Sequence, residues 1–377
     1  MTNQKSVVLR RGIVTLILAC AALAAPPAYA QSGDGTGRGS GAVFHIVTDR
    51  DFNERDDGLY YWKNGTTTKL RAGFDAAGTA VSGRDVYIMG RFYASDGLKA
   101  CYWKNGGGLM PLGIKAGSTG LSRNIITAIA VSGEDDYIAG SYHDERTRKA
   151  CYWKNGVRVN LPVPHNVDSF ADAISVVGSD VYVAGGNSGG IRYYTSLLDE
   201  LELLSDSGPP YAYTACYWKN GVRTDLPSGA PDARVTAMTV VDGNVYVAGA
   251  WYEKSVAKAC YWKNGVRTDI GDGTAARIVV VGSDVHIVGR EKGKVWYWKN
   301  GVRIDLGVDT LGFMRFNSND FYFPFAIAVL GRDVYIAACY RKRSDNKLAG
   351  SYWKNGVRTD FVNLPGCDVV AIAITAE

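Results

Sequence analysis

From Ala42 onward the chain is a succession of short apolar or alternating runs, broken every few residues by Gly, Asp and Asn. Residues 235–270 show the unit most plainly. Val235 to Val241, Val245 to Gly249, Ala259 to Lys263 and Val266 to Ile270 are each rich in β-branched and aromatic residues and too short for helices, which predicts four strands, A to D. The A–B turns are Gly83-Arg84-Asp85, Gly133-Glu134-Asp135, Gly178-Ser179-Asp180, Asp242-Gly243-Asn244, Gly282-Ser283-Asp284 and Gly331-Arg332-Asp333, residue types that tolerate tight-turn backbone angles. The C–D turn is Asn-Gly in every copy, the preferred pair for a type I′ hairpin because both positions need positive φ. Each Asn-Gly is therefore a fold signal, not a site.

Tyr-Trp-Lys-Asn-Gly recurs seven times, beginning at Tyr61, Tyr102, Tyr152, Tyr217, Tyr261, Tyr297 and Tyr352. The 336 residues from Ala42 to Glu377 divide into 48 per copy, within the roughly 40 to 50 of four-stranded propeller blades. The expected fold is all-β, a seven-bladed β-propeller of four-stranded antiparallel blades. Ala42 to Thr48 matches strand B and Tyr60 to Gly65 matches strand C, so the first unit lacks a strand A, and Val369 to Thr375 supplies it. The N-terminal blade is thus expected to be closed by the C-terminal strand, which removes an exposed sheet edge. Across the C–D hairpin Trp should face Arg, pairing Trp153 with Arg158, Trp218 with Arg223, Trp262 with Arg267, Trp298 with Arg303 and Trp353 with Arg358. Stacked guanidinium on indole is worth roughly 0.5 to 2 kcal/mol, and its repetition in five blades points to packing. The first two blades have Thr67 and Gly108 in place of the Arg.

Asp180 to Gly186, Asp-Val-Tyr-Val-Ala-Gly-Gly, after an apolar strand and before a Tyr-bearing strand, resembles a kelch-type unit. The Gly-Gly doublet occurs only at Gly185-Gly186, and the Trp stands beside the Tyr of strand C, both departures from kelch. The Tyr-Trp-Lys-Asn-Gly units also resemble repeats of uncharacterised exported bacterial proteins, a resemblance that implies a fold and a compartment but no reaction.

Residues 1–30 read as a secretory signal: Lys5, Arg10 and Arg11 precede an apolar run from Ile13 to Ala25 and then Ala28-Tyr29-Ala30. That run is shorter than the roughly 20 residues a membrane span requires. Ile17-Leu18-Ala19-Cys20 resembles a lipoprotein box, so a lipid anchor at Cys20 is the alternative; Leu18 and the later Ala-Tyr-Ala site argue against it. Residues 31–41 form a Gly-rich linker and 42–377 the propeller. The expected location is the periplasm or the cell surface. Removing the three basic residues leaves 39 Lys and Arg against 37 acidic residues, a near-balance that gives nucleic acid no electrostatic footprint.

Cys101, Cys151, Cys216 and Cys260 each precede Tyr-Trp at one repeat position on different blades, too far apart for bridges. They read as small buried hydrophobes, and no disulfide is expected, Cys339 with Cys367 being the one pair left open. The A–B and C–D turns are minimal, whereas the B–C and D–A connections carry the length variation, above all the insertion Asn187 to Thr214 and the connection Gly307 to Tyr322. Loops on a rigid scaffold are where binding resides. Candidate ligand residues on that face are Arg91, Phe92, Tyr142, His143, Tyr193, Trp251, Glu253, Arg290, Tyr340 and Arg341, a mixture of aromatic platforms and charges suited to a glycan or a protein or peptide. The alternative is that the aromatics seal gaps between blades. Four His, without metal spacing, and no nucleophile elbow or phosphate loop assign no catalytic residue, metal or cofactor. His45 and His286, on strand B, are expected in the core. The leading expectation is a non-catalytic binding module; the alternatives are an enzyme acting on a sugar or glycan at the channel mouth and a structural envelope protein.

Overall fold

A computed structural model describes strands and turns between residues 42 and 376; residues 1–41, 50–57, 116–124, 189–212, 310–324, 342–347 and 361–367, with a few turn positions, lie outside the described residues. The signal, the linker, Tyr193, Cys367 and most of the two long connections fall there. The described strands form four-stranded antiparallel sheets, the blades of an all-β propeller. Six blades are built of four consecutive strands, within residues 74–115, 125–160, 169–225, 233–272, 274–309 and 325–360. A further sheet is composite: Asp368–Ala376 pairs with Ala42–Asp49, which pairs with Gly58–Lys63 and then Thr66–Ala72.

The Asn-Gly hairpins form as the sequence requires. Asn105, Asn155, Asn220, Asn264, Asn300 and Asn355 have φ between 46° and 55°, and the following glycines at 156, 221, 265, 301 and 356 lie between 77° and 97°. The register that follows places Trp153 opposite Arg158, Trp218 opposite Arg223, Trp262 opposite Arg267, Trp298 opposite Arg303 and Trp353 opposite Arg358.

The Lys and Asn of the repeat do more than turn the chain. In the blade of residues 169–225, the Asn220 side chain accepts from the Val181 amide at 2.8 Å and donates to Asp180 at 2.7 Å. Lys219 pairs with the same Asp180 at 3.0 Å and lies over the Tyr182 ring. The same clasp joins Asp85, Tyr87, Lys104 and Asn105; Asp135, Tyr137, Lys154 and Asn155; and Asp333, Tyr335, Lys354 and Asn355. It ties the C–D turn to the A–B turn and holds each Asp carboxyl below its usual range through its Lys and Asn partners. Two blades vary it: Asn244 replaces the Asp, and His286 replaces the Tyr. His286 is buried, its Nδ1 is 2.7 Å from the Tyr297 hydroxyl, and burial lowers its pKa.

Strand C locks two of the blades to the one before. Trp218 and Trp262 are fully buried and donate from Nε1 to the carbonyls of Pro162 and Pro227, in the preceding D–A connections. The strand-B glycine has a reason in the same core. A Cβ on Gly185 would stand 2.0 Å from the Phe170 carbonyl, and one on Gly249 2.0 Å from that of Arg234. That close approach accompanies a bulge in strand A, found between Ile126 and Ala128, Ala171 and Ala173, Val235 and Ala237, and Ala275 and Arg277. The bulge residues are Thr127, Asp172, Thr236 and Ala276.

Candidate functional site

The face of the B–C and D–A connections carries a row of guanidinium groups and aromatic rings that spans three successive blades. Arg148 opens strand C of the first, Phe170 and Asp172 lie on strand A of the second and Tyr213 opens its strand C, and Arg234 and Tyr252 lie on strands A and B of the third. The Arg148 guanidinium sits 5.2 Å over Phe170, and the Phe170 and Tyr213 centroids are 6.0 Å apart. Arg234 lies between Tyr213, at 4.6 Å, and Tyr252, at 5.1 Å. Two buried carboxylates hold this row to the backbone. Asp168 accepts from the Arg148 amide at 2.7 Å, and its carbonyl accepts from the Ser188 amide at 2.9 Å. Asp232 takes the equivalent place one blade on: its carboxyl is bonded by the Tyr213 amide, and its carbonyl accepts from the Tyr252 amide at 3.0 Å.

Asp172 is the unusual member. At its repeat position Thr127 donates to the Ala171 carbonyl of the next blade at 2.6 Å, and Thr236 donates to the Ala275 carbonyl at 2.6 Å. These bonds stitch neighbouring inner strands together, and a carboxylate cannot make one because it only accepts. A protonated carboxyl can. Burial pushes Asp172 up to about 7, opposed by Arg148 and Arg234. The Asp232 carboxyl is also raised by burial against the pull of Arg234, 3.8 Å away. The row therefore carries two fixed positive charges beside one carboxyl, Asp172, that burial brings to about 7.

The sequence-expected ligand residues are placed differently. Tyr142 carries Arg158 at 3.8 Å on its ring; Trp251 carries Arg267 at 4.5 Å and donates to Asp269 at 2.9 Å. At the same strand-B position, Asn187 accepts from Arg223 at 2.7 Å and Glu291 pairs with Arg303 at 2.7 Å. Each is thus matched to the strand-D Arg of its own blade rather than gathered with its counterparts at one point. The guanidinium groups run diagonally across strand C to the strand-B side chain, and contact with the Trp directly opposite is kept, at 5.9 Å, for Arg223 on Trp218 and Arg358 on Trp353. Glu253 is exposed, 4.0 Å from Lys258, and Arg290 is half-buried opposite Thr274. Arg91, Phe92, His143, Tyr340 and Arg341 have their backbones in strand pairs and their side chains outside the described residues. Asn187 and Thr214 are themselves a strand pair, so the insertion is shorter than its expected bounds and covers 189–212. The strands on either side of it end at Ser188 and begin at Tyr213, beside the row.

The four repeat-position cysteines, Cys101, Cys151, Cys216 and Cys260, are buried free thiols, and burial pushes Cys151 and Cys216 up to about 12. Among the described residues no group of three His, Cys, Asp or Glu could hold a metal ion, and no helix is long and apolar enough to cross a membrane.

No family model and no curated protein matches the sequence. Among solved structures, the chain is similar to a puromycin-hydrolyzing peptidase of Mycobacterium tuberculosis, at 11% identity and a TM-score of 0.46 over 78% of this chain and 48% of that one. The chain thus spans about half the length of that peptidase. It is similar to the β-propeller domain of the Trilobed protease from Pyrococcus furiosus, at 10% identity and a TM-score of 0.46, over 85% of this chain and 100% of that one. It is also similar to the polysaccharide lyase Uly1, at 12% identity and a TM-score of 0.45, over 93% of each chain.

Proposed function

We propose that the protein is an exported, kelch-like seven-bladed propeller acting as a non-catalytic binding module, whose ligand, a glycan or an envelope protein or peptide, docks on the face of the B–C and D–A connections. The ring reading is supported by the inner strands, which adjoin in one cycle from 74–82 through 125–132, 169–177, 233–241, 274–281, 325–330 and 368–376 back to 74–82. The export reading rests on the N-terminal basic, apolar and Ala-Tyr-Ala pattern.

The observation that carries the binding reading is the row Arg148, Phe170, Tyr213, Arg234, Tyr252. It interrupts the repeat. Arg148 and Tyr213 stand where other copies have Leu98 and Ala257, and they concentrate charge and rings on one side of the mouth. Leu98, Ala257 and Leu348 show that a small or aliphatic residue serves packing at that position, and Arg148 and Tyr213 bring a charge and a ring there instead. Rings with a few fixed polar groups at a scaffold's loop end are the makings of a ligand site. The test is a screen of glycans and envelope peptides against the purified protein and an Arg148→Gln/Arg234→Gln variant shown to be folded by circular dichroism. Binding by the first and not the second supports the reading. Binding unchanged in the variant overturns the placement, and cleaved ligand in the same incubations overturns the non-catalytic part.

A further inference from the structure

We infer that Asn264 is a site of spontaneous deamidation, converting faster than its counterparts Asn155, Asn220, Asn300 and Asn355 because the clasp of its blade lacks the carboxylate that restrains the reaction in theirs. The sequence Lys-Asn-Gly-Val is identical around all five, so the chain on either side of the Asn-Gly pair does not set them apart. What differs is the group across the turn.

The reaction needs only water. The Gly265 nitrogen attacks the Asn264 Cγ, an N–C bond forms, the Cγ–Nδ2 bond breaks, and the Gly proton leaves on the departing ammonia. Water then opens the resulting cyclic imide at either carbonyl, giving Asp or isoaspartate. Glycine leaves the attacking nitrogen uncrowded, since a Cβ on Gly221, Gly265, Gly301 or Gly356 would meet nothing within 4 Å. Every copy also carries part of the activation. A strand-B amide donates to the Asn Oδ1, from Asp136 at 2.9 Å, Val181 at 2.8 Å, Val245 at 2.8 Å, Val285 at 2.9 Å and Val334 at 2.8 Å. A donor there stabilises the negative charge that gathers on this oxygen as the ring closes.

The restraint is not shared. Asn155, Asn220, Asn300 and Asn355 donate from Nδ2 at 2.7 Å to Asp135, Asp180, Asp284 and Asp333. Their Lys and Asn partners hold these carboxyls below the usual range, so they are ionised at neutral pH. A charged acceptor makes the stronger hydrogen bond to the nitrogen that must leave. The same charge opposes ionisation of the Gly nitrogen and the second carboxylate that the product would set beside the first. At Asn264 the acceptor is the neutral carboxamide oxygen of Asn244, at 2.9 Å. Lys263 lies over Tyr246 as its counterparts lie over their rings, but residue 244 offers it no carboxylate, and its charge favours the developing anion.

The test holds the purified protein folded at pH 8 and follows each hairpin by peptide mapping and mass spectrometry, with isoaspartate located by fragmentation. Asn264 should convert roughly five- to tenfold faster than the other four, the difference between a charged and a neutral hydrogen-bond acceptor. In urea all five should convert at one rate. Asn244→Asp, which rebuilds the clasp, should slow Asn264 to the rate of the others, and Asp180→Asn should raise Asn220 to that of Asn264. Should Asp180→Asn not fold, Asn244→Asp carries the test alone. Equal rates at the five hairpins of the folded protein, or an Asn264 rate unchanged by Asn244→Asp, overturn the inference. So does an Asn264 that stays intact in the folded protein while the unfolded chain converts, and unequal rates in urea would place the difference in the chain rather than the clasp and overturn it too.

Discussion

Replacing Asn220 by Ala should unlatch one blade, and the size of the effect separates the two jobs this residue does. Its φ of 51° is a left-handed conformation that Ala adopts at a cost of roughly 1–2 kcal/mol. Its carboxamide accepts from the Val181 amide at 2.8 Å and donates to Asp180 at 2.7 Å. Stranding a partly buried amide costs about 1–3 kcal/mol, and the low end applies because Asn220 itself is exposed. Together these give a loss of about 2–3 kcal/mol for Asn220→Ala. Asn220→Gly keeps the turn geometry and loses only the carboxamide bonds, so it should fall about 1 kcal/mol short of that loss. Urea unfolding followed by tryptophan fluorescence gives the global value. Hydrogen exchange at Val181 reads the latch directly and should quicken by roughly 30-fold for each 2 kcal/mol lost locally. If the Val181 amide exchanges equally slowly in wild type and Asn220→Ala, or if the Gly variant is the less stable of the two, the clasp is not what holds this turn.

Other outcomes follow from the same geometry. Asp172 gains a proton on folding, since burial carries it to about 7 from an ordinary carboxyl value near 3.9. Its contribution is therefore fully present below pH ~4 and is lost as pH rises through 7, with an upper bound of about 4 kcal/mol. Melting curves of Asp172→Thr should lack that decline between pH 5 and 8, and curves parallel to wild type would remove the argument. Gly249→Ala should destabilise by about 2 kcal/mol or more in urea, because its Cβ would meet the Arg234 carbonyl at 2.0 Å and backbone atoms cannot step aside; a neutral result would mean the bulge relaxes freely. The thiols of Cys101, Cys151, Cys216 and Cys260, buried and for Cys151 and Cys216 raised to about 12, should resist alkylation at pH 8 until the protein unfolds. Peptide mapping of a timed labelling reaction checks this, and rapid modification of native Cys216 would contradict the packing.

The repeat made the hairpins and their register legible, because a two-residue Asn-Gly turn leaves only one pairing for the Trp and Arg that flank it. Strand ends were less so. Strands B and C of the blade at 233–272 run on to Glu253 and back from Val256, past the alternation that marked them in sequence. The bulge at Asp172 and its equivalents is a backbone event with no residue signature of its own. The candidate row was hidden by the method that exposed the fold: a search for what recurs passes over Arg148, Asp172 and Arg234, which are departures from the recurrence. Aligning the seven copies and asking where a charge replaces Leu98, Thr127 or Ile125 would have found them. The diagonal run of Arg158 and Arg267 onto Tyr142 and Trp251 could not be read from pairing, since pairing names the residue opposite and not the strand-B neighbour across strand C.

The most direct test of the central claim compares the two faces of the propeller in one binding experiment. Arg234→Gln alters the row at the mouth, and Lys263→Ala alters an exposed residue of the opposite face, where Lys263 lies over Tyr246. Calorimetric titration of a ligand taken from the screen should show affinity lost in Arg234→Gln and kept in Lys263→Ala. Affinity kept in Arg234→Gln, or lost equally in both, would contradict the assignment of this mouth as the binding site.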